Sequence, residues 1–368
     1  MSLNAIVRPI RLPPGRRVLV VSDIHGNLPF LKGVLAKAKF SREDILIVLG
    51  DILERNEGSL DTLRHVMELS ETHRVYTLMG NCDNIIPAFV DLRYDFSDDF
   101  YEKKWFGRLG EKSVLVKMAH LAGAPIERRE DYPAAREAIK KAFRPELDFL
   151  RNLPHIYVND DYLFVHGGVP REDRLEELDA YGCMKNDDFM GQGHSFRRWG
   201  VVGHWPVTLY DEKIPSAKPL LDYDRHIASI DGGCTLKADG QLNALILPEK
   251  PGGEFSYVSY DGFPEMTALD GQEPSADSIN IRFGHSALEV LEEGKEFCRC
   301  RHLESGRVLE VLTEYLRRDP QGVHCEDSTD YRLPVRAGEK LSVVRRTSRG
   351  TLCKKDGATG WYLGRLAE

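Results

Sequence analysis

The 368-residue sequence predicts a layered α/β region followed by a smaller, mainly β unit. Three observations carry this prediction. From Arg17 to Leu247, short β-branched runs alternate with longer amphipathic stretches. At Pro248 the composition changes to turn-forming Pro and Gly, through Pro248-Glu249-Lys250-Pro251-Gly252-Gly253. Beyond it, strand-like alternation is broken by Gly294, Gly306, Gly338, Gly350, Gly357 and Gly360. The length agrees, because a single core stops growing near about 250–300 residues.

Val18 to Val21 reads as the first strand. Leu28, Leu31, Val34, Leu35 and Ala38 then recur at helical spacing, and Ile45 to Leu49 is a second buried strand. Leu60, Leu63, Val66, Met67 and Leu69 form another helical stripe before the strand Val75 to Met79. Asp91 to Tyr132 is aromatic and charged with no clean period, as an inserted helical or loop segment would be. A helix around Ala134 to Leu150 leads to strands Ile156 to Val158 and Tyr162 to Val165, parted by the turn-like Asn159-Asp160-Asp161. Val201-Val202, Ile227 to Ile230 and Ala244 to Leu247 complete the strands. The expected division is a catalytic domain over 17–247, a linker over 248–278 and a small β domain over 279–368.

Composition narrows the function classes. A net charge of −8 argues against a bulk nucleic-acid binder, and 42% hydrophobic with 29% charged residues against a disordered chain. No run approaches the roughly 18 apolar residues of a membrane helix, and Met1 to Arg17 has no continuous signal-peptide stretch. Seven scattered cysteines in so long a chain read as reduced thiols, and the expected location is cytoplasmic. Cys298 and Cys300 fall on one strand face with no second Cys/His pair at zinc-finger spacing, and read as ordinary strand cysteines.

The informative residues follow strand ends, where open α/β sheets place their ligands. Five strands end in polar ligand types: Asp23-Ile24-His25-Gly26-Asn27, Gly50-Asp51, Gly80-Asn81-Cys82-Asp83, His166-Gly167-Gly168 and Gly203-His204-Trp205. Carboxylate, imidazole and amide donors suit borderline divalent ions such as manganese, iron or zinc, and a carboxylate can bridge two of them. The neighbouring glycines permit close backbone approach.

In this order the motifs resemble the signature of calcineurin-like metallophosphoesterases, over about Arg17 to Leu247. Gly50-Asp51-Ile52-Leu53-Glu54-Arg55, Gly58 to Arg64, Gly203-His204-Trp205 and Ile230-Asp231-Gly232-Gly233-Cys234 resemble the phosphoprotein-phosphatase-like branch, which includes symmetrical diadenosine tetraphosphatases. The resemblance implies a β-sandwich flanked by helices. It implies Asp23, His25 and Asp51 at a first divalent metal (Mn, Fe or Zn), and Asp51, Asn81, His166 and His204 at a second, with Asp51 as bridge. Pro206 stands where many relatives outside this branch carry a further ligand. A metal-bridging hydroxide would attack phosphorus, with Arg55 gripping the phosphoryl oxygens unless it is a surface ion-pair residue. Glu54 is either an orienting carboxylate or exposed.

One position departs from the branch. Its members carry a general-acid histidine after the metal-binding asparagine, whereas this chain has Cys82, either a weak substitute donor or a small buried residue filling the space. Activated leaving groups are therefore expected. The implied activity is that of a phosphatase or nucleotide phosphoanhydride hydrolase acting on a phosphorylated small molecule, nucleotide or phosphoprotein. The alternatives are a phosphodiesterase or a non-catalytic metal-binding scaffold. Pro334 to Leu366 resembles a bacterial Src-homology-3-like barrel, which implies a peptide or glycan partner near Trp361, or else Trp361 is core.

Overall fold

Two apolar runs buried on both faces and a partly exposed third pair as parallel strands: β2 (Val18–Val21) lies beside β3 (Ile45–Val48), and β3 beside β4 (Arg74–Thr77). The computed structural model describes residues 3–92, 97–250 and 252–367. They form two compact units, one made of 1–206, 219–236 and 240–261, the other of 207–218, 237–239 and 262–368.

The first unit holds two sheets. With β1 (Val7–Pro9), β5 (Ile156–Val158), β6 (Tyr162–Val165), β7 (Trp199–Val202), β8 (Leu220–Asp222), β9 (Ile227–Ser229), β10 (Leu242–Ile246) and β11 (Ser256–Tyr260), the strand orders are β11-β10-β2-β3-β4 and β1-β5-β6-β7-β9-β8. The period of two divides the side chains cleanly. Val18, Val20, Ile45, Ile47 and Leu245 meet Tyr157, Phe164, Val201 and Ala228 of the other sheet in one core. Leu19, Val21, Leu46, Val48 and Ala244 turn the other way, onto Leu31, Val34 and Leu35 of α1 (Leu28–Lys37) and Leu60, Leu63 and Val66 of α2 (Ser59–Thr72). Asn27 caps α1 by accepting from the Phe30 amide, and Pro29 sits in its first turn. This is the mixed α/β architecture expected, and it aligns the ends of β2, β3, β4, β6 and β7.

Two segments differ from expectation, and a third is helical as expected but irregular. Residues before Arg17 are part of the first unit, because β1 pairs in parallel with β5. Three residues are too few to show a period, and Pro9, lacking an N–H, is tolerated at a sheet edge. The stretch 248–278, read as a linker, contains β11, paired antiparallel with β10, and strand Glu265–Thr267 in the second unit. Its serines and prolines mask short edge strands. The insertion over 91–132, of which 93–96 lie outside the described residues, is helical and includes a π-helical stretch, Tyr101–Phe106. A wider helix breaks the 3.6-residue period, which is why none was legible. Tyr101 and Phe106 pack around Phe89 and Tyr132.

The second unit is mainly β. Glu265–Thr267, Lys340–Thr347, Gly350–Lys355 and Ala358–Tyr362 form one antiparallel sheet around Leu341, Val343, Cys353 and Tyr362. Val308–Leu312, Phe297–His302, Ala287–Glu292, Gly322–Cys325 and Leu316–Asp319 form another around Leu288, Cys298, Cys300 and Val311. Cys298 and Cys300 share its buried face. Trp361 is half-buried, and its indole donates to the Thr329 carbonyl. No helix among the described residues is long and apolar enough to cross a membrane.

The β1–β5 edge depends on His155. Its Nδ1 accepts from the Ile6 amide at 2.9 Å while its own amide donates to the Ile6 carbonyl at 2.9 Å. Burial lowers the ring's pKa from 6.5 to about 4 despite the nearby Asp179 carboxylate. The unfolded chain therefore takes up the proton first, so this stabilising contribution is complete above about pH 6.5 and is lost as pH falls toward 4. A His155→Gln variant, which keeps an acceptor and does not titrate, should show a shallower fall of denaturation midpoint across that window. Parallel slopes would remove His155 as the cause.

Candidate metal centre

The strand-end turns are knitted together by their own backbones. Asp23 N donates to Gly50 O (3.1 Å), His25 N to Asp51 O (2.9 Å) and Gly26 N to Ile52 O (2.7 Å), which zips the turn after β2 to the turn after β3. Across the sandwich, Gly203 N donates to His166 O at 2.9 Å. These contacts hold several side chains in the left-handed region that non-glycine residues avoid: Asp23 (φ 56°), His25 (48°), Asp51 (51°), Glu54 (73°), Arg55 (72°) and His204 (66°). Each costs about 1–2 kcal/mol relative to right-handed geometry, and such strain gathers at sites that must fix side chains. A Cβ on Gly80 would fall 2.2 Å from both the amide and Oδ1 of Asp51, so only glycine lets the turn after β4 close on that residue.

Several of the ligand types read from the sequence come together here. Single ligand-type atoms of His25, Asp51 and Cys82 lie within 4.8 Å of one another, as do those of Asp51, His166 and His204, so Asp51 belongs to both groups. Asp23 Oδ1 lies 3.8 Å from His25 Nε2. Its other oxygen accepts from Ser22 Oγ (2.5 Å) and from the His204 amide (2.9 Å). Asp51 Oδ1 accepts from the Cys82 amide at 2.8 Å. Asn81 Nδ2 donates to Cys82 Sγ at 3.4 Å, which leaves the amide oxygen free to face elsewhere.

The imidazoles are oriented by carbonyls, which only accept. His25 Nδ1 meets Leu53 O at 3.2 Å and His166 Nδ1 meets Leu49 O at 3.1 Å, so each Nδ1 carries a proton toward its carbonyl and Nε2 is left as the ring's other nitrogen. His204 Nε2 meets Asp187 Oδ1 at 2.8 Å, leaving Nδ1 as its other nitrogen.

The donor set fits a metal. Asp23 Oδ1, Asn81 Oδ1 and His166 Nε2 are buried without any hydrogen-bond partner, although Asp51 Oδ1 is 3.4 Å from that nitrogen. Leaving one such group unsatisfied costs about 1–3 kcal/mol. A carboxylate, an amide oxygen and an imidazole are donor types that a borderline divalent cation takes.

Charge is concentrated accordingly. Burial alone would raise Asp51, but the His166, His25 and His204 rings outweigh it and hold the carboxyl far below its usual range. Burial would lower His166, yet Asp51 and Asp23 raise it to about 9. His25 is lowered, chiefly by burial. Cys82 is 1% exposed, and burial followed by the Asp51 charge pushes its thiol well above 9. Glu54 is wholly buried, not exposed. Its carboxylate accepts from Ser113 Oγ (3.3 Å) beside the Trp105 indole, and burial raises it to about 7 against the opposing amides of Val114 and Leu115. It ties the 51–55 turn to the start of the helix Val114–Leu121. Arg55 is half-buried, its Nε has no partner, and no ion pair involves it among the described residues.

Three carboxylates carry roles that the sequence did not assign. Asp83 Oδ1 accepts from the Ile52 and Leu53 amides (2.9 and 3.0 Å) and Oδ2 from Gly80 N (3.1 Å), clamping the turn after β3 to the turn after β4. Its place in Gly80-Asn81-Cys82-Asp83 was the available signal. Asp231 follows β9 at a sixth polar strand end; Oδ1 accepts from Gly233 N, Oδ2 is buried without a partner, and burial and the Asp23 charge push its pKa well up. Asp187 lies in a loop with no pattern to mark it.

A family description, calcineurin-like phosphoesterase, matches residues 16–227, more than half of the chain. The chain belongs to the calcineurin-like phosphoesterase family. The chain is 38% identical over 65 residues to a symmetrical bis(5'-nucleosyl)-tetraphosphatase of Serratia proteamaculans, covering 17% of the chain and 22% of that relative. It is 26% identical over 151 residues to the same-named protein of Vibrio cholerae O1 strain O395, covering 41% of the chain and 44% of the relative. The matches thus span less than half the length of these curated relatives. Among solved structures, a metallophosphoesterase from Sphaerobacter thermophilus aligns with TM-score 0.34 and 15% identity over 67% of this chain and 87% of that one.

The family implies divalent metal ions, and the residues of this chain fit them. Asp187 acts as a positioning residue for His204. An Asp187→Ala variant should lose about 10–100-fold in affinity for manganese, read by calorimetric titration of the metal-free protein, with the fold intact by circular dichroism. Unchanged affinity would contradict that role.

Proposed function

We propose that this protein is a two-metal-dependent phosphoester hydrolase, acting as a phosphatase or nucleotide phosphoanhydride hydrolase. The observation that carries this reading is that Asp51 belongs to both ligand groups, beside His25 in one and His166 and His204 in the other, while Asp23 Oδ1 and Asn81 Oδ1 are buried without a hydrogen-bond partner. Asp23, His25 and Asp51 would hold one cation, and Asp51, Asn81, His166 and His204 the other. When bound, such a pair lowers the pKa of a water and neutralises phosphoryl oxygens.

The chain's own contributions follow from placement. Asp51, fixed by the Cys82 amide and held ionised, supplies the shared carboxylate. Arg55 has a planar fork suited to two phosphoryl oxygens, and its half-buried, partnerless Nε supports that use over a surface ion pair. Asp83 and Glu54 hold the turn that carries both residues. The names of the curated relatives support a nucleotide polyphosphate as substrate.

Cys82 bears on the leaving group. Its thiol is buried and held well above its usual pKa, which supports the reading of a small space-filling residue over a proton donor. A leaving group must then depart largely on its own acidity, which favours anhydrides and aryl phosphates. Across a series of aryl and alkyl phosphates, with chemistry rate-limiting, rates should fall about 100-fold or more toward the alkyl end. A flat series would contradict this.

Metal dependence tests the reading itself. Stripped protein should be inactive on an aryl monoester and a bis(5'-nucleosyl) tetraphosphate, and manganese, iron or zinc should restore turnover. Asp51→Asn, which removes the shared charge, should abolish the restored activity. Turnover that survives that substitution would overturn the two-metal assignment.

A further inference from the structure

The rim of the metal centre carries a cation that the reading above does not use. The short helix Ala180–Met184 follows the His166-Gly167-Gly168 turn and holds it, since Gly167 N donates to Cys183 O at 2.8 Å. Lys185 comes next, with its amide bonded to Tyr181 O at 2.7 Å. Its Nζ lies 3.3 Å from His204 Nε2 and pairs with Asp187, whose Oδ1 also contacts that same nitrogen at 2.8 Å. The Lys185 side chain is 37% exposed, whereas those of His25 and His166 are 1% and 0% exposed. The ammonium group therefore has one side in solvent and the other against a candidate ligand.

An ammonium there is unfavourable for metal binding taken alone. It bears on His204 with the same sign as a bound cation would. Asp187 offsets only part of this, because one oxygen serves both Lys185 and His204. A cation beside a cation site becomes favourable when an anion lies between them. Arg55 cannot be that partner's only anchor, since it bears on His25 and Cys82. Lys185 bears instead on His204. Arg55 thus acts on a member of one ligand group and Lys185 on a member of the other, with Asp51 common to both.

We infer that Lys185, oriented by Asp187, binds a second phosphoryl group of the substrate, so that the site prefers ligands carrying linked phosphates to lone monophosphates. This rests on the metal-dependent reading of the same site. It makes Lys185 a specificity-determining residue, separate from the set that would hold the metals.

Pyrophosphate and orthophosphate are the probes, titrated calorimetrically into manganese-loaded full-length wild type, Lys185→Met and Lys185→Arg. Wild type should bind pyrophosphate more tightly. Lys185→Met should weaken pyrophosphate about tenfold or more beyond any loss for orthophosphate, and Lys185→Arg should recover most of that difference. Manganese content by elemental analysis should match wild type in both variants. Equal losses for the two anions, no loss for either, or depleted manganese in Lys185→Met would overturn the inference, the last by placing Lys185 in support of His204. A wild type that hydrolyses nothing but keeps a Lys185-dependent pyrophosphate preference would sink the hydrolase reading and uphold the role of Lys185.

Discussion

The arrangement depends on one carboxylate held in one place. Asp51 is 2% exposed, its Oδ1 is fixed by the Cys82 amide, and His25, His166 and His204 approach it from the ends of β2, β6 and β7. Both sheets of the sandwich therefore converge on a single side chain. The two parallel registers, β2–β3 and β6–β7, set where those ends fall, and a slip in either would carry a ligand-type residue away from Asp51.

Holding that carboxylate requires strain, and the fold supplies the means. Six non-glycine residues at the site adopt positive φ, offset by the amide pairs between the turns and by the three amides that Asp83 accepts. The glycines do complementary work: Gly80 lets one turn lie against Asp51, and Gly203 lets another lie where a Cβ would sit 1.9 Å from Ser22 Oγ. The partnerless donor atoms add electrostatic cost. A bound cation would relieve it, which would couple binding to folding of the site.

Legibility in the sequence followed the physics of each signal. Buried parallel strands wrote themselves as Val18–Val21 and Ile45–Val48, and the polar residues after them were readable because strand ends define a place in space. The edge strands β1 and β11 were not, since a half-exposed strand of three to five residues carries little hydrophobic pattern. The π-helical stretch Tyr101–Phe106 hid behind its irregular period. Asp187 and Lys185 act through a loop whose path no periodicity encodes, and the burial of Glu54 depends on Ser113, 59 residues away. First contacts were visible, and the groups that orient them emerged only with the tertiary structure.

The most direct measurement is anomalous diffraction from crystals grown with manganese, recorded on both sides of the metal edge. Two peaks about 3.5–4 Å apart are expected, one on each side of the Asp51 carboxylate. One should adjoin Asp23 and His25, the other Asn81, His166 and His204. A single peak, or two peaks that do not share Asp51, would contradict that expectation.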